Sequence, residues 1–213
     1  MIVPAILANT PDEYKAQIER LHVFANRVHI DITDGEFAQN LTIPETQVWW
    51  PKEWKVDIHM MVARPSEHID TIIKLNPNMV IFHSEVEEDL VPIFEKLKSE
   101  TLIKPGVALL RSTVPQSVEP AILAAEHVLV FSGNLGEYGG KASMMQLEKI
   151  RLIKKINSNV EIGWDGGANL GNVFSLNQGG VDVINVGGAL ANAADPAQIY
   201  KAMSAEINRK GTI

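Results

Sequence analysis

The sequence contains no cysteine. A disulfide framework and a thiolate metal site are thereby excluded, so any bound metal has to be held by histidine and carboxylate. No stretch approaches the ~20 consecutive apolar residues of a membrane-spanning helix. Positive charge is also scarce: 19 Lys and Arg against 26 Asp and Glu give a formal net charge of −7. That balance argues against nucleic acid and anionic membrane as partners. The opening segment, MIVPAILANT, has no basic stretch and too short an apolar run for a signal peptide, so a cytoplasmic protein is expected. Gly/Ser linkers, charge blocks and shifts of composition are absent as well, and residues 1–213 are expected to form one domain.

What is present is an alternation of short apolar runs with longer helical patterns. Strands are expected at Ile2–Leu7, Arg27–Ile32, Lys55–Met61, Met79–His83, Lys104–Leu110, Val128–Ser132, Val160–Asp165 and Asp182–Val186. Amphipathic helices are expected at Pro11–Leu21, Pro65–Leu75, Glu87–Ser99 and Ser143–Asn157. Thr10-Pro11 and Asp195-Pro196 each place a capping side chain before a proline at the first helical position. Leu41–Trp54, with Trp49, Trp50 and Trp54, has a weak helical period and reads as a loop with a short helix at most.

Eight β/α units in a chain of this length fit a (β/α)₈ TIM barrel of the α/β class. The rival, a doubly wound open sheet, usually carries a Gly-rich turn after its first strand. Here Ala8-Asn9-Thr10-Pro11 stands there. Glycines cluster instead after the last three strands, as Gly139-Gly140, Gly166-Gly167 and Gly187-Gly188. One such pair alone is a tight turn. Three pairs at the C-terminal ends of consecutive strands point to a phosphate cup, because backbone N–H groups approach an anion closely where side chains are missing.

The second strand alternates Val28, Ile30 and Ile32 with His29, Asp31 and Thr33, so one face is apolar and the other carries an imidazole and a carboxylate. The third places Asp57, His59 and Met61 on one face. The seventh ends in Asp165. In a barrel these inward residues converge on the mouth at the C-terminal ends of the strands. Two imidazoles and two carboxylates suit one divalent ion, Zn, Mn, Fe or Co. His83 reads as a hydrogen-bonded core residue, and His22, His68 and His127 as solvated helix or loop residues. Asp57 reads as a partner that orients a ligand.

These motifs resemble the ribulose-phosphate 3-epimerase family. HIDITDGEF and NLT (29–42), DIHMMV (57–62), WDGGAN (164–169) and NVGGAL (185–190) carry the likeness, with VPAIL (3–7) and FSGNLGEYGGK (131–141) beside them. The resemblance implies a barrel of the ribulose-phosphate-binding type with one divalent metal on His29, Asp31, His59 and Asp165. It implies that Asp31 and Asp165 transfer protons at C3 of D-ribulose 5-phosphate and D-xylulose 5-phosphate, through an enediolate. Met61, Gly139, Gly140, Lys141, Gly166, Gly167, Gly187 and Gly188 would contact substrate and phosphate. The family's pentose phosphate setting and a phosphorylated ketose partner follow, and the acidic surface permits a homo-oligomer.

Departures from the family pattern fall around the substrate. Ala5 replaces a serine, Thr33 and Phe131 replace methionines, and Gly188 replaces another serine. The sixth loop reads Asn-Leu-Gly-Glu-Tyr-Gly-Gly-Lys where the family has Asn-Pro-Gly-Phe-Gly-Gly-Gln. Lys141 is expected to offset the missing hydroxyl at Gly188 with a charged donor near the phosphate. These changes leave open another ketose phosphate, such as a hexulose 6-phosphate, or a non-catalytic phosphosugar-binding barrel. Related decarboxylase and synthase barrels carry an Asp-x-Lys-x-x-Asp stretch that HIDITDG lacks.

Overall fold

The valine- and isoleucine-rich runs fold as short strands, whose pleated, half-buried surface suits branched side chains. The computed structural model describes residues 1–209. Its strands are β1 (Ile2–Ile6), β2 (Arg27–Thr33), β3 (Lys55–Met61), β4 (Met79–His83), β5 (Lys104–Leu109), β6 (His127–Phe131), β7 (Glu161–Asp165) and β8 (Val183–Val186). Each pairs in parallel with the next, and β8 pairs back onto β1, closing the (β/α)₈, or TIM, barrel.

The helices are α1 (Pro11–Leu21), α2 (Ile69–Leu75), α3 (Leu90–Glu100), α4 (Glu119–Ala124), α5 (Glu148–Ile156), α6 (Val173–Gln178), α7 (Gly188–Ala191) and α8 (Pro196–Ile207). Among the described residues none follows β2, where Leu41–Trp54 contains only a 3₁₀ turn at Glu45–Gln47. The expected helices Pro65–Leu75 and Ser143–Asn157 each open with a separate 3₁₀ turn. Helix α3 starts at Leu90, not Glu87, because the Asp89 carboxylate caps the Val91 N–H at 3.0 Å. Thr10 caps Glu13 in α1 and Asp195 caps Gln198 in α8. No helix among the described residues is long and apolar enough to cross a membrane.

Two apolar cores follow from the period-2 pattern. Outward residues such as Ile30, Ile58, Phe82, Val130 and Trp164 pack against the buried faces of the helices, among them Ile18, Ile72 and Phe94. Inside the barrel, Met79, Ile81, Ala108 and Leu129 form a small separate plug. Below and above that plug the barrel is polar.

The lower end corrects two expectations. Asp57 does not orient a ligand: its carboxylate accepts from Arg27 Nε at 2.7 Å and from Asn78 Nδ2 at 2.7 Å. Arg27 also binds Glu161 through both terminal nitrogens, at 3.1 and 3.0 Å. Nor is His127 solvated. It opens β6, is 1% exposed, and its Nδ1 lies 2.8 Å from Glu161 Oε2. The ladder pairing of His127 with Gly106 and Glu161 carries the strand one residue past its apolar run. Burial acts to raise the Glu161 carboxyl, but hydrogen bonds from His127 and Arg27 hold it well below the usual carboxylate range.

Candidate active site and metal centre

At the upper end, parallel pairing sets Asp31 of β2 beside His59 of β3, and His29 beside Ala5 of β1. Asp165 arrives at the end of β7, paired with Phe131 of β6. Strand register thus brings together four residues that are far apart in sequence. One donor atom from each of His29, Asp31, His59 and Asp165 lies within 4.8 Å of the other three. His59 Nδ1 is 2.9 Å from Asp31 Oδ1 and 3.7 Å from Asp165 Oδ2. His29 Nε2 is 3.2 Å from Asp31 Oδ1 and 3.5 Å from Asp165 Oδ2.

The cluster is deeply buried, and its charges act on one another. Burial alone would depress the His29 imidazole, but Asp31 and Asp165 more than reverse this and push it up to about 10. Burial works to raise the Asp31 carboxyl, yet the adjoining His29 and His59 rings hold it well below the ordinary carboxylate range.

These residues fit a divalent ion. His29 Nε2 is buried beside two carboxylates and aligns with neither as a hydrogen bond, so it has no partner. Its other nitrogen, Nδ1, lies 3.1 Å from the Asn185 side-chain amide of β8, whose Oδ1 is also buried without a partner. Turning that amide by 180° lets Oδ1 accept from Nδ1–H. Nε2 is then the nitrogen that would meet a cation in exchange for its proton, the usual arrangement of a ligating histidine.

Above the cluster lies a cavity of about 360 Å³. Asp31 and Asp165 reach its floor, and Ala5, Leu7, Met61 and Phe131 supply apolar wall. Gly139, Gly140, Gly166, Gly167, Gly187 and Gly188 line the rest. Among the described residues, the N–H groups of Gly139, Gly140, Gly166 and Gly167 meet no protein acceptor. Gly166 and Gly167 have φ of 107° and 71°, and a Cβ on either would strike the backbone of the loop after β6. That loop and the turn after β7 are therefore in contact only because both residues are glycine.

Residues 1–191 match the sequence profile of the ribulose-phosphate 3 epimerase family. The chain belongs to that family. Ribulose-phosphate 3-epimerase from Helicobacter pylori (strain J99) is 32% identical over 178 residues, covering 80% of this chain and 82% of that protein. The cytoplasmic isoform from Oryza sativa subsp. japonica is 28% identical over 210 residues, covering 95% and 92%. Among solved structures, 3-hexulose-6-phosphate synthase from Salmonella typhimurium superposes with a TM-score of 0.69 at 16% identity, covering 97% of this chain and 98% of that one. At that identity the likeness shows the barrel alone. Family membership makes the chain an epimerase, an enzyme of the isomerase class.

Against the family pattern, the altered positions divide into two sets. Ala5, Phe131 and Gly188 border the cavity. Thr33 and Lys141 do not. Thr33 N–H instead donates to the Thr42 hydroxyl at 2.9 Å and Thr42 N–H to the Thr33 hydroxyl at 3.0 Å, which ties the end of β2 to the following loop. The Lys141 side chain is exposed, beyond the turn that Gly139 and Gly140 make with φ of 93° and 82°.

Tyr138 and Gln17, also at the mouth, have no expectation behind them. Tyr138, in the loop after β6, reaches across to β1: its hydroxyl accepts from Leu7 N–H at 2.7 Å and donates to Gln17 Oε1 at 2.5 Å. Gln17 Nε2 in turn donates to the Leu7 carbonyl at 2.8 Å. Asn185 was legible as a polar residue in the apolar run of β8. His83 is buried as expected, and its Nε2 touches the cluster, 2.9 Å from His59 Nε2. Burial pushes its imidazole down to about 4, against the opposing pull of Glu85.

Proposed function

We propose that the chain interconverts D-ribulose 5-phosphate and D-xylulose 5-phosphate by moving a proton at C3. The observation that carries this reading is the placement of Asp31 and Asp165 on β2 and β7, both at the floor of one cavity, under a rim of glycine N–H groups. Three strand steps around the barrel separate β2 from β7. A ketose held between them meets one carboxylate on each face of its reacting carbon.

One carboxylate takes the C3 proton, and the electron pair moves onto the neighbouring C2 carbonyl oxygen to give the enediolate. The other carboxylate, carrying a proton, returns it to C3 from the opposite face. The reverse reaction exchanges the two roles. His29, Asp31, His59 and Asp165 would hold one divalent ion, which supplies Lewis acidity toward the carbonyl oxygen when bound. Asn185 holds His29 in orientation. Met61 and Phe131 keep water from the reacting carbon. The glycine amides after β6, β7 and β8 hold the phosphate, so binding at the far end of the substrate orients its reacting end.

A panel of ketose phosphates, incubated with zinc- or manganese-loaded protein in D₂O and followed by NMR, tests the reading. Ribulose 5-phosphate should become xylulose 5-phosphate with solvent deuterium at C3. Asp31→Asn and Asp165→Asn should each abolish turnover, with metal content measured in parallel. Turnover confined to a hexulose 6-phosphate would change the substrate, and product without deuterium would exclude the proton-transfer mechanism.

A further inference from the structure

The polar groups behind His59 form a directed chain. Glu85 lies two residues beyond the end of β4, and its Oε1 accepts from the Leu110 N–H at 2.9 Å and from the Thr113 hydroxyl. Its Oε2 lies 3.2 Å from His83 Nδ1. A carboxylate only accepts, so the shared proton sits on His83 Nδ1. His83 Nε2 is then bare, and it lies 2.9 Å from His59 Nε2. Two ring nitrogens at that distance share one proton, which His59 Nε2 must supply. The remaining nitrogen, His59 Nδ1, faces Asp165 and Asp31 and lies 2.9 Å from Asp31 Oδ1, so without a metal a proton bridges it to that carboxylate, and a bound cation takes that proton's place. Water cannot interrupt the chain at His83, which is fully buried between the rings of Phe37 and Phe131, at 4.9 and 5.5 Å between centroids.

We propose that Glu85 and His83 are positioning residues that fix the tautomer of His59, so that Nδ1 meets a divalent cation as a lone pair. The inference rests on the reading of the four-residue cluster as a metal centre. Nothing in it concerns contact with substrate: Glu85 acts on the cluster only through two imidazoles.

Glu85→Gln reverses the chain without changing its shape. The Leu110 N–H cannot turn, so it holds the amide oxygen and directs the NH₂ group at His83 Nδ1. His83 then protonates on Nε2, His59 Nε2 has to accept, and His59 Nδ1 points its proton at the metal site. Glu85→Ala removes the acceptor from both Leu110 and His83 but imposes no reversed tautomer. The measurement is zinc affinity of metal-stripped, folded protein, by competition with a chromophoric chelator.

The expected result is a loss of roughly 10- to 100-fold for Glu85→Gln, the range typical of groups that orient a ligand, with a smaller loss for Glu85→Ala. A role in packing alone gives the opposite order, because alanine removes more contacts than glutamine. Long-range ¹H–¹⁵N spectra of zinc-loaded wild type test the same point without substitution, and should show His83 protonated on Nδ1 and His59 on Nε2. His83 protonated on Nε2, or zinc affinity unchanged in Glu85→Gln, overturns this inference while the metal centre stands. Wild type that binds no zinc overturns the metal centre, and the inference with it.

Discussion

Tyr138→Phe removes one oxygen atom from the mouth of the barrel and leaves the ring in place against Gly187. The loop after β6 crosses to β1, three strand steps around the barrel, and the Tyr138 hydroxyl joins its far end to Leu7 and Gln17. Without the oxygen, the Leu7 N–H has no acceptor and Gln17 Oε1 has no donor. Each hydrogen bond is worth about 0.5–1.5 kcal/mol net, so the closed loop loses about 1–3 kcal/mol. At about 1.4 kcal/mol per tenfold, the closed-to-open ratio falls by about 5- to 150-fold. Since the loop supplies Gly139 and Gly140 to the cavity, substrate has to draw on its binding energy to close it again. KM should rise within that range, and kcat should hold or increase, because opening releases product. Hydrogen exchange of the Glu137 amide, which donates to the Asn134 carbonyl within the loop, gives a measure independent of turnover, and should accelerate by a similar factor. If KM and exchange both stay within twofold of wild type, the hydroxyl does not hold the loop and the reasoning fails.

Two further outcomes follow from the same geometry. Lys141→Gln should leave KM for a phosphorylated ketose within twofold of wild type even at low salt, since the lysine side chain lies outside the cavity; a severalfold increase would show that it bends back to the phosphate. Glu161→Gln should lower stability at neutral pH by about 2 kcal/mol, the worth of a hydrogen bond to a charged group with allowance for partial exposure. The Glu161 carboxyl titrates lower in the folded protein than its ordinary value of 4.5, so its contribution is present above that value and fades as pH falls below it. Melting midpoints from pH 3 to 8 should therefore converge for wild type and variant at the acid end, and curves that stay parallel throughout would refute the assignment.

The eight strands were legible because each is a short β-branched run in which a polar residue on the inner face stands out by contrast. His29, Asp31, His59 and Asp165 were visible for that reason: charged groups in apolar surroundings are costly unless something compensates them. The same contrast exposed Asp57, but not its role, because its partners Arg27 and Asn78 come from outside β3 and are fixed only by pairing with the strands on either side. His127 follows Ala124-Ala125-Glu126, which reads as the end of a helix, and only pairing to Gly106 and Glu161 draws it into β6. His83 and Glu85 share a period-2 spacing that continues the inner face of β4, so the chain behind His59 had a signal in the sequence. Its direction had none, since only the fold shows that the Glu85 carboxylate meets Nδ1 of His83 and leaves Nε2 toward His59. Tyr138 and Lys141 show where contrast fails altogether. Polar residues are the norm in a loop, and no periodicity says which side chain turns inward. The two positive-φ glycines between them decide it: the tyrosine before the turn reaches β1, and the lysine after it faces solvent.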